Sequence, residues 1–274
     1  MTEKLGFIGI QTLLTKDRDQ NLKEALKLTD EALASYRKTD MVVLPEYFYW
    51  GPDHPADTPN IGPYPREILE EFAARAQMYH TYILVGGVVH RREDGEVYNT
   101  SVLLDRKGEI AGHYDKVHLF DALNAMGGEK ESDQVKAGDK LFTYETDFGK
   151  IGVSICYDIR FPEVARTYAL QGVKYLFTPA AFYSPRADHW QNLLAATALH
   201  NSMYVTGVNL YGELNPDNIF CGRTLIADPW GIQIAVASDR TGSIQAYADP
   251  EYVDEIRAAV GTIYGRRPDV YDIK

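Results

Sequence analysis

The segment KIGVSICYDIRFPE, residues 150–163, joins an apolar run to a charged run, and a cysteine lies where the two meet. The apolar residues before Cys156 are typical of a buried β-strand. Pro162 suits the first turn of a helix, because its missing N–H would have no partner there. The segment therefore predicts a strand that turns into a helix, with the thiol of Cys156 at the turn.

Strand-like and helix-like segments alternate along almost the whole chain. Asp19 and Asp188 are the expected N-caps of two of the helices. Three strand patterns of the first half (MVVLPE, TYILVGGVV and YNTSVLLDRKGEI) have counterparts in the second (KYLFTPA, MYVTGVNL and GRTLIADPWGIQI). Two similar α-β-β units predict two sheets packed face to face with helices outside. Because no linker separates the units, we expect a single domain over residues 1–274, with a polar tail from about residue 262.

The composition is that of a globular enzyme and narrows the range of partners. Hydrophobic residues make up 45% of the 274 residues, charged residues 24%, and the formal net charge is −11. This acidity argues against nucleic acid, whose binding requires a basic surface. We expect no membrane association, because the apolar run near the start is too short for a signal peptide and no run approaches a bilayer span. With only Cys156 and Cys221, we expect reduced thiols and a cytoplasmic location.

Two charged residues stand at the ends of other apolar strands. Glu46 closes the strand in VVLPEYFYW, where partial desolvation would raise its pKa and suit it to proton transfer. Lys116, in AGHYDKVHLF, has apolar neighbours that favour a pocket. The alternatives are a solvated glutamate, a surface lysine with its stem on apolar neighbours, and, for Cys156, a buried structural thiol.

In this order, LPEYF, YDKVHLF and ICYDIRFPE resemble the nitrilase superfamily of carbon–nitrogen hydrolases. The similarity continues through TPAAF, GRTLIADPWG and RRPDVY, so it covers nearly the whole chain. The resemblance implies an α/β fold, a four-layer αββα sandwich of two mixed sheets with outer helices. It also implies that Cys156 is the nucleophile, Glu46 the general base and Lys116 a positive group near the reacting carbon.

Members of this superfamily usually carry a second glutamate seven residues before a glycine that opens the next strand. Glu131 precedes Gly138 by that spacing and is our choice, with Glu129 as the alternative. A thiol is only a few per cent ionised at neutral pH and needs a base, which agrees with these roles. Lys116 and the backbone N–H of Tyr157 would stabilise the oxyanion. No metal or organic cofactor is required.

The residues after the cysteine, CYDIRFPE, are similar to the amidase and omega-amidase members, which hydrolyse side-chain amides of small keto or amino acids. We therefore expect water and a small linear amide to give a carboxylate and ammonia. An N-carbamoyl amidohydrolase is the nearest alternative, and a non-catalytic binding or assembly module is the alternative of another class. Family members commonly dimerise through the helices after the cysteine, so we expect a homodimer or higher homo-oligomer.

Several residues are candidates for contact with the substrate, among them Tyr157 beside the cysteine. Arg160 can bind a carboxylate through two hydrogen bonds, unless it pairs internally with Asp158, Glu163 or a neighbouring acid. Arg186, on a loop before a helix, is a second candidate. The aromatic side chains that would shape the pocket, or otherwise fill the core, are Tyr49, Phe182 and Trp190.

Overall fold

Two six-stranded sheets form the centre of the protein in the computed structural model, which describes residues 3–49, 66–93, 95–121, 130–216 and 218–271. In chain order the strands are β1 (Leu5–Gln11), β2 (Met41–Val43), β3 (Tyr82–Arg91), β4 (Val97–Leu104), β5 (Ile110–Asp115), β6 (Phe142–Thr146), β7 (Gly149–Val153), β8 (Tyr175–Ala180), β9 (Tyr204–Asn209), β10 (Tyr211–Asn215), β11 (Asn218–Cys221), β12 (Leu225–Ala227), β13 (Gln233–Val236) and β14 (Gly242–Ala248). The α-helices are α1 (Arg18–Ser35), α2 (Arg66–Tyr79), α3 (Pro162–Leu170), α4 (Ala187–Asn201) and α5 (Pro250–Val260).

The two sheets have the same internal plan. The first has the order β14-β1-β2-β3-β4-β5, and the second β13-β12-β9-β8-β7-β6. In each, three central strands run parallel and the flanking strands are antiparallel: β1, β2 and β3 in one, β7, β8 and β9 in the other. This shared strand arrangement accounts for the repeated α-β-β pattern of the sequence. A separate two-stranded ribbon joins β10 to β11.

The sheets pack face to face through apolar side chains, and helices cover their outer faces. In the middle layer, the ring of Phe7 lies 5.2 Å from each of the rings of Tyr175 and Phe177. Helices α1 and α2 bury residues such as Phe72 against the first sheet, and α3 and α4 bury residues such as Trp190 against the second. Each such side chain, fully buried, contributes about 1.5–3 kcal/mol. The predicted four-layer αββα sandwich is confirmed.

Both predicted helix caps are wrong by two residues. Helix α1 begins at Arg18, and the carboxylate of Asp17, not Asp19, accepts a 3.0 Å hydrogen bond from the N–H of Gln20. Helix α4 begins at Ala187, so Asp188 lies inside the first turn. A cap must have extended backbone just before the helix, as Asp17 has, whereas an acid inside the turn stabilises the helix only through its dipole.

The last strand and helix return to the start of the chain. Strand β14 pairs antiparallel with β1 over its full length, so one edge of the first sheet is formed by a segment from the far end of the chain. The described part of the tail, after α5 ends at Val260, contains only turns. Within the described ranges, no helix has the length and apolar character required to cross a bilayer.

Candidate active site

Four charged or sulfur-bearing side chains named by the sequence meet at one end of the two sheets. They lie just beyond three strand ends and in a connecting 3₁₀-helix: Glu46 after β2, Lys116 after β5, Cys156 after β7, and Glu131 in Glu131–Asp133. Strand β5 runs in the same direction as β2 because two antiparallel steps separate it from β3. The carboxyl ends of β2 and β5 therefore lie at the same end of the sandwich.

The ammonium group of Lys116 lies between two carboxylates. Its Nζ is 2.9 Å from Oε1 of Glu46 and 2.8 Å and 3.0 Å from Oε2 and Oε1 of Glu131. The exposed fractions of the Lys116 and Glu46 side chains are only 2% and 1%. Burial works against the charge of Lys116, but Glu131 and Glu46 raise its pKa well above the usual range. The alternative second glutamate, Glu129, lies outside the described residues.

The two carboxylates have pKa values shifted in opposite directions. Glu46 is fully buried, and this desolvation raises its pKa although Lys116 opposes the shift. Burial also disfavours the charge of Glu131, but Lys116 and the N–H of Phe120, 2.6 Å from Oε2, hold its pKa below the ordinary value. The hydroxyl of Tyr47 adds a further hydrogen bond of 2.9 Å to Glu131. Glu46 is thus the carboxylate suited to proton exchange, and Glu131 is a fixed negative charge.

Cys156 begins the 3₁₀-helix Cys156–Arg160 with a left-handed backbone, φ +47°. A non-glycine residue in this region is strained and needs support from its surroundings. The fully buried carboxylate of Asp158 supplies it by accepting hydrogen bonds from the N–H of Ile155 at 2.9 Å and the hydroxyl of Tyr114 at 2.8 Å. The same carboxylate lies 2.8 Å from Nδ1 of His118. The turn around the thiol is therefore rigidly held.

The thiol of Cys156 interacts with the carboxylate of Glu46 and with the backbone of Ala181. Burial and the negative charge of Glu46 raise its pKa well above the usual range. Glu46 also accepts a 2.8 Å hydrogen bond from the N–H of Ala181, the residue after β8. The resting cysteine is therefore a protonated thiol next to a carboxylate that can accept its proton.

Asn99, a residue that the sequence analysis missed, bridges the two carboxylates. Its Nδ2 lies 2.7 Å from Oε1 of Glu46 and 3.2 Å from Oε1 of Glu131. Its backbone carbonyl accepts the N–H of Lys116 at 2.9 Å. The sequence signal was a polar residue inside the apolar strand VYNTSVLL, where a buried side chain needs hydrogen-bond partners.

A glycine makes room for this arrangement. A Cβ atom added to Gly87 in β3 would lie 2.4 Å from Oδ1 of Asn99 and 3.0 Å from Cγ of Glu46. The carbonyl of Gly87 also accepts a 2.6 Å hydrogen bond from Tyr47, whose φ is +58°. The second glycine of TYILVGGVV is thus required by close packing against the carboxylates.

Three predicted substrate contacts lie near the cysteine. Tyr157 packs edge-on against Phe120, with ring centroids 5.1 Å apart. The guanidinium carbon of Arg160 lies 5.0 Å from the ring centroid of Phe182. Arg160 makes no ion pair with Asp158, Glu163 or any other acid within the described ranges, so the internal ion pair considered for it is not found.

Tyr49 and Trp190, the other two aromatic candidates, have their polar atoms bound elsewhere in the fold. The hydroxyl of Tyr49 contacts Arg18 and Glu67, on the outer helices, because the chain turns away after Tyr47. Trp190 has no exposed surface and donates its Nε1–H to the carbonyl of Arg223 at 2.9 Å. It fills the core behind Phe182, the alternative that the sequence left open.

Among the described residues, no three His, Cys, Asp or Glu side chains are grouped as a metal site would require. The position between Glu46 and Glu131 is occupied by the ammonium of Lys116.

Comparisons of the chain with a family model, with curated proteins and with solved structures all find relatives. A model of the family described as carbon-nitrogen hydrolase matches residues 4–258. The 2-oxoglutaramate amidase of Bacillus subtilis is 34% identical over 242 residues, which cover 86% of this chain and 88% of that protein. The deaminated glutathione amidase of Homo sapiens is 33% identical over 269 residues, 95% of this chain and 82% of that protein. The crystal structure of Saccharomyces cerevisiae Nit3, a member of branch 10 of the nitrilase superfamily, has a TM-score of 0.88 and 28% identity, and covers 97% of this chain and 98% of that one.

Proposed function

The chain belongs to the carbon–nitrogen hydrolase family, and we propose that it hydrolyses the amide of a small carboxylate-bearing compound, an omega-amidase activity, through a cysteine thioester. The observation that carries the proposal is the buried contact of Glu46 with Lys116, next to the thiol of Cys156. The Bacillus subtilis and Homo sapiens relatives, 34% and 33% identical to this chain, are named as amidases of two different compounds. Similarity therefore supports amide hydrolysis, and the choice of substrate rests on the site.

Glu46 moves the protons in the first half of the reaction. Its carboxylate takes the thiol proton as Sγ of Cys156 attacks the amide carbon. The negative charge that develops on the oxygen is stabilised by the ammonium of Lys116, in a site from which water is largely excluded. Glu46 then returns the proton to the amide nitrogen, the C–N bond breaks, ammonia leaves, and a thioester remains on Cys156.

Water completes the turnover. Glu46 takes a proton from a water molecule as the oxygen attacks the thioester carbon. The C–S bond breaks, the carboxylic acid is released, and the proton returns to the sulfur of Cys156. Amide and water thus become acid and ammonia, without any other reactant.

Glu131 stays ionised throughout this cycle. Its lowered pKa and four hydrogen-bond donors make it unsuited to exchange protons. Its role is to hold Lys116 charged and in place, because an ammonium group buried without a partner would lose its proton.

Replacing Asn99 with alanine is expected to lower kcat/KM by about 10- to 100-fold, since a hydrogen bond to each carboxylate is lost. The loss of a donor to the ionised form raises the pKa of Glu46 further, so the acid limb of the pH–rate profile moves to higher pH. The measurement is kcat/KM from pH 5 to 9 together with a thermal melt.

The matched control is Asn201→Ala. Asn201 is also a buried asparagine whose Nδ2 has a carbonyl partner, Thr197, at 2.9 Å. It lies at the far end of α4, about 20 Å along the helix from Arg186. We expect a comparable fall in melting temperature with an unchanged pH–rate profile. If both variants leave the profile unchanged, the bridging role of Asn99 is only structural.

Arg160 is proposed to bind the substrate's carboxylate. Its half-buried guanidinium follows the cysteine by one 3₁₀-turn and has no acidic partner among the described residues. Arg160→Ala is expected to raise KM for succinamate by about 10- to 100-fold, because a charge-assisted pair is lost, and to change KM for neutral butyramide little. Equal effects on the two amides would mean that Arg160 is structural.

The test of the whole proposal is a screen of succinamate, an N-carbamoyl amino acid and an aliphatic nitrile, with ammonia and carbon dioxide both measured. An amidase releases ammonia alone, whereas an N-carbamoyl hydrolase releases carbon dioxide as well. Absence of turnover with all three, together with no labelling of Cys156 by mild iodoacetamide, favours the non-catalytic module.

We further propose that the chain is a single domain that forms a homodimer or higher homo-oligomer in the cytoplasm. The shared layer between the sheets supports one domain, and the free thiols of Cys156 and Cys221 fit a reducing compartment. Helix α3 is the first α-helix after the cysteine and is the candidate dimer face. It exposes Leu170, whose side chain is 49% accessible. Light scattering after size exclusion measures the mass of the particle.

A further inference from the structure

Two arginines stand beside the site on aromatic side chains. Arg160 is the last residue of Cys156–Arg160, and its guanidinium carbon lies 5.0 Å from the ring centroid of Phe182. Arg186 ends a second 3₁₀-helix, Ser184–Arg186, and its guanidinium carbon lies 5.1 Å from the ring centroid of Phe120. Each guanidinium is thus held by a cation–π contact, and both residues are half-buried.

The two aromatic rings belong to residues that adjoin the paired carboxylates. Phe120 donates its N–H to Glu131, and Phe182 follows Ala181, which donates its N–H to Glu46. Both guanidinium groups therefore lie on aromatic residues that are next to the paired carboxylates in the site. They also act on each other, since burial and then the charge of Arg186 lower the pKa of Arg160.

Neither guanidinium contacts a carboxylate in the part of the chain that the structure describes. Arg160 has a contact of 3.4 Å between Nη2 and Nδ1 of His189, and the guanidinium of Arg186 contacts the rings of Phe120 and Tyr183. By contrast, Arg106, at a similar depth, has Asp40 and Asp147 within 3.0 Å. Two neighbouring positive charges without acids repel each other and favour binding of an anion.

We propose that Arg186 is a second anion-binding residue, and that the preferred substrates are amides carrying two carboxylates. This inference rests on the proposed amidase function. One guanidinium binds one carboxylate through two parallel hydrogen bonds, which leaves the other guanidinium for a second. A substrate with a single carboxylate would leave one of the two cations unpaired.

The test compares three amides with the native enzyme. Succinamate carries one carboxylate. The 1-monoamide of propane-1,2,3-tricarboxylate carries two on the acyl part, and N-succinylglycine carries its second on the leaving amine. We expect kcat/KM for at least one dianionic amide to exceed that for succinamate by about tenfold or more. The favoured compound shows on which side of the scissile bond Arg186 lies.

Arg186→Gln is expected to lower the ratio of kcat/KM for the favoured dianion to that for succinamate by about 10- to 100-fold. Arg186→Lys, which keeps the charge, should retain part of the preference. The control is Arg37→Gln. Arg37 is an exposed arginine next to the amino ends of β1 and β2, whereas Glu46 follows the carboxyl end of β2. This control should leave the ratio unchanged.

An unchanged ratio in Arg186→Gln, or a native preference for succinamate over both dianions, would overturn the inference and leave the amidase proposal standing. Failure of the native enzyme to hydrolyse succinamate or either dianion would overturn both. A thermal melt of each variant separates loss of binding from loss of folding.

Discussion

Cys156→Ala is expected to reduce hydrolysis of succinamate by at least about 10⁴-fold, because the atom that forms the thioester is removed. The free energy of unfolding should change by no more than about 1 kcal/mol, since only one sulfur atom leaves a site already partly exposed. The left-handed backbone at this position is equally strained with either side chain. Ammonia release and a urea unfolding curve are the two measurements.

Cys221→Ala is the matched control. This second cysteine is 7% exposed and lies in the layer between the second sheet and its helices. Its removal should preserve turnover. Mass spectrometry of the native enzyme quenched during turnover should find the acyl group on Cys156. Substantial hydrolysis by Cys156→Ala would eliminate the thioester route.

Lys116→Met is expected to abolish measurable turnover and to destabilise the fold by about 3–5 kcal/mol. The substitution leaves the carboxylates of Glu46 and Glu131 buried without their cation, and it removes the positive charge that stabilises the oxyanion. The control is Lys174→Met, which removes a surface ion pair of 2.7 Å with Asp254. That change should cost less than about 1 kcal/mol. Urea unfolding of both variants gives the comparison.

The pH dependence of the Lys116→Met effect has a definite sign. In the native protein the pKa of Glu131 lies below its ordinary value of 4.5, so its contribution to stability is present above that pH and lost as the pH falls through the lowered pKa. Without Lys116, burial raises the pKa of this carboxyl above its unfolded value. The stability of the variant then falls as the pH rises above about 4.5. The free energy of unfolding that Lys116→Met loses relative to the native protein should therefore be larger at pH 8 than at pH 5.

A double variant separates stability from catalysis. Lys116→Met combined with Glu131→Gln removes the charge of Glu131 together with that of Lys116, so part of the lost stability should return. Turnover should remain absent, because the positive charge at the oxyanion is still missing. Recovery of turnover in the double variant would show that Lys116 is needed only for folding.

Much of the fold followed from the sequence, because the pattern of apolar residues is local and each segment carries its own periodicity. Strands, helices and the repeat between the two halves were predicted in this way, and the sandwich is confirmed. The caps at Asp19 and Asp188 were misplaced, since several acids near a helix start fit the same pattern. The backbone angle that selects Asp17 cannot be obtained from composition.

The direction of side chains also escaped prediction. Tyr49 follows Glu46 closely in sequence, yet it points to Arg18 and Glu67 because the chain turns at Tyr47 with a positive φ. Asn99 was missed because its partners, Glu46 and Glu131, lie in two different connecting segments that are distant from it in sequence. A buried polar residue in a strand indicates that partners exist but does not identify them.

The apolar pattern along the chain predicted the layered fold, and the family resemblance led to the proposal that Glu46, Lys116 and Cys156 are the reacting groups. The raised pKa of Glu46 was expected from its place at a strand end, and its burial in the structure agrees with that expectation. The structure was needed to find that Lys116 holds the pKa of Glu131 low, and that Arg160 and Arg186 have no acidic partner among the described residues. The reason is physical. Apolar periodicity is a property of one segment, whereas a pKa depends on burial, on charges and on hydrogen bonds from distant segments. The N–H of Ala181, which bonds to Glu46, lies 135 positions away in the chain.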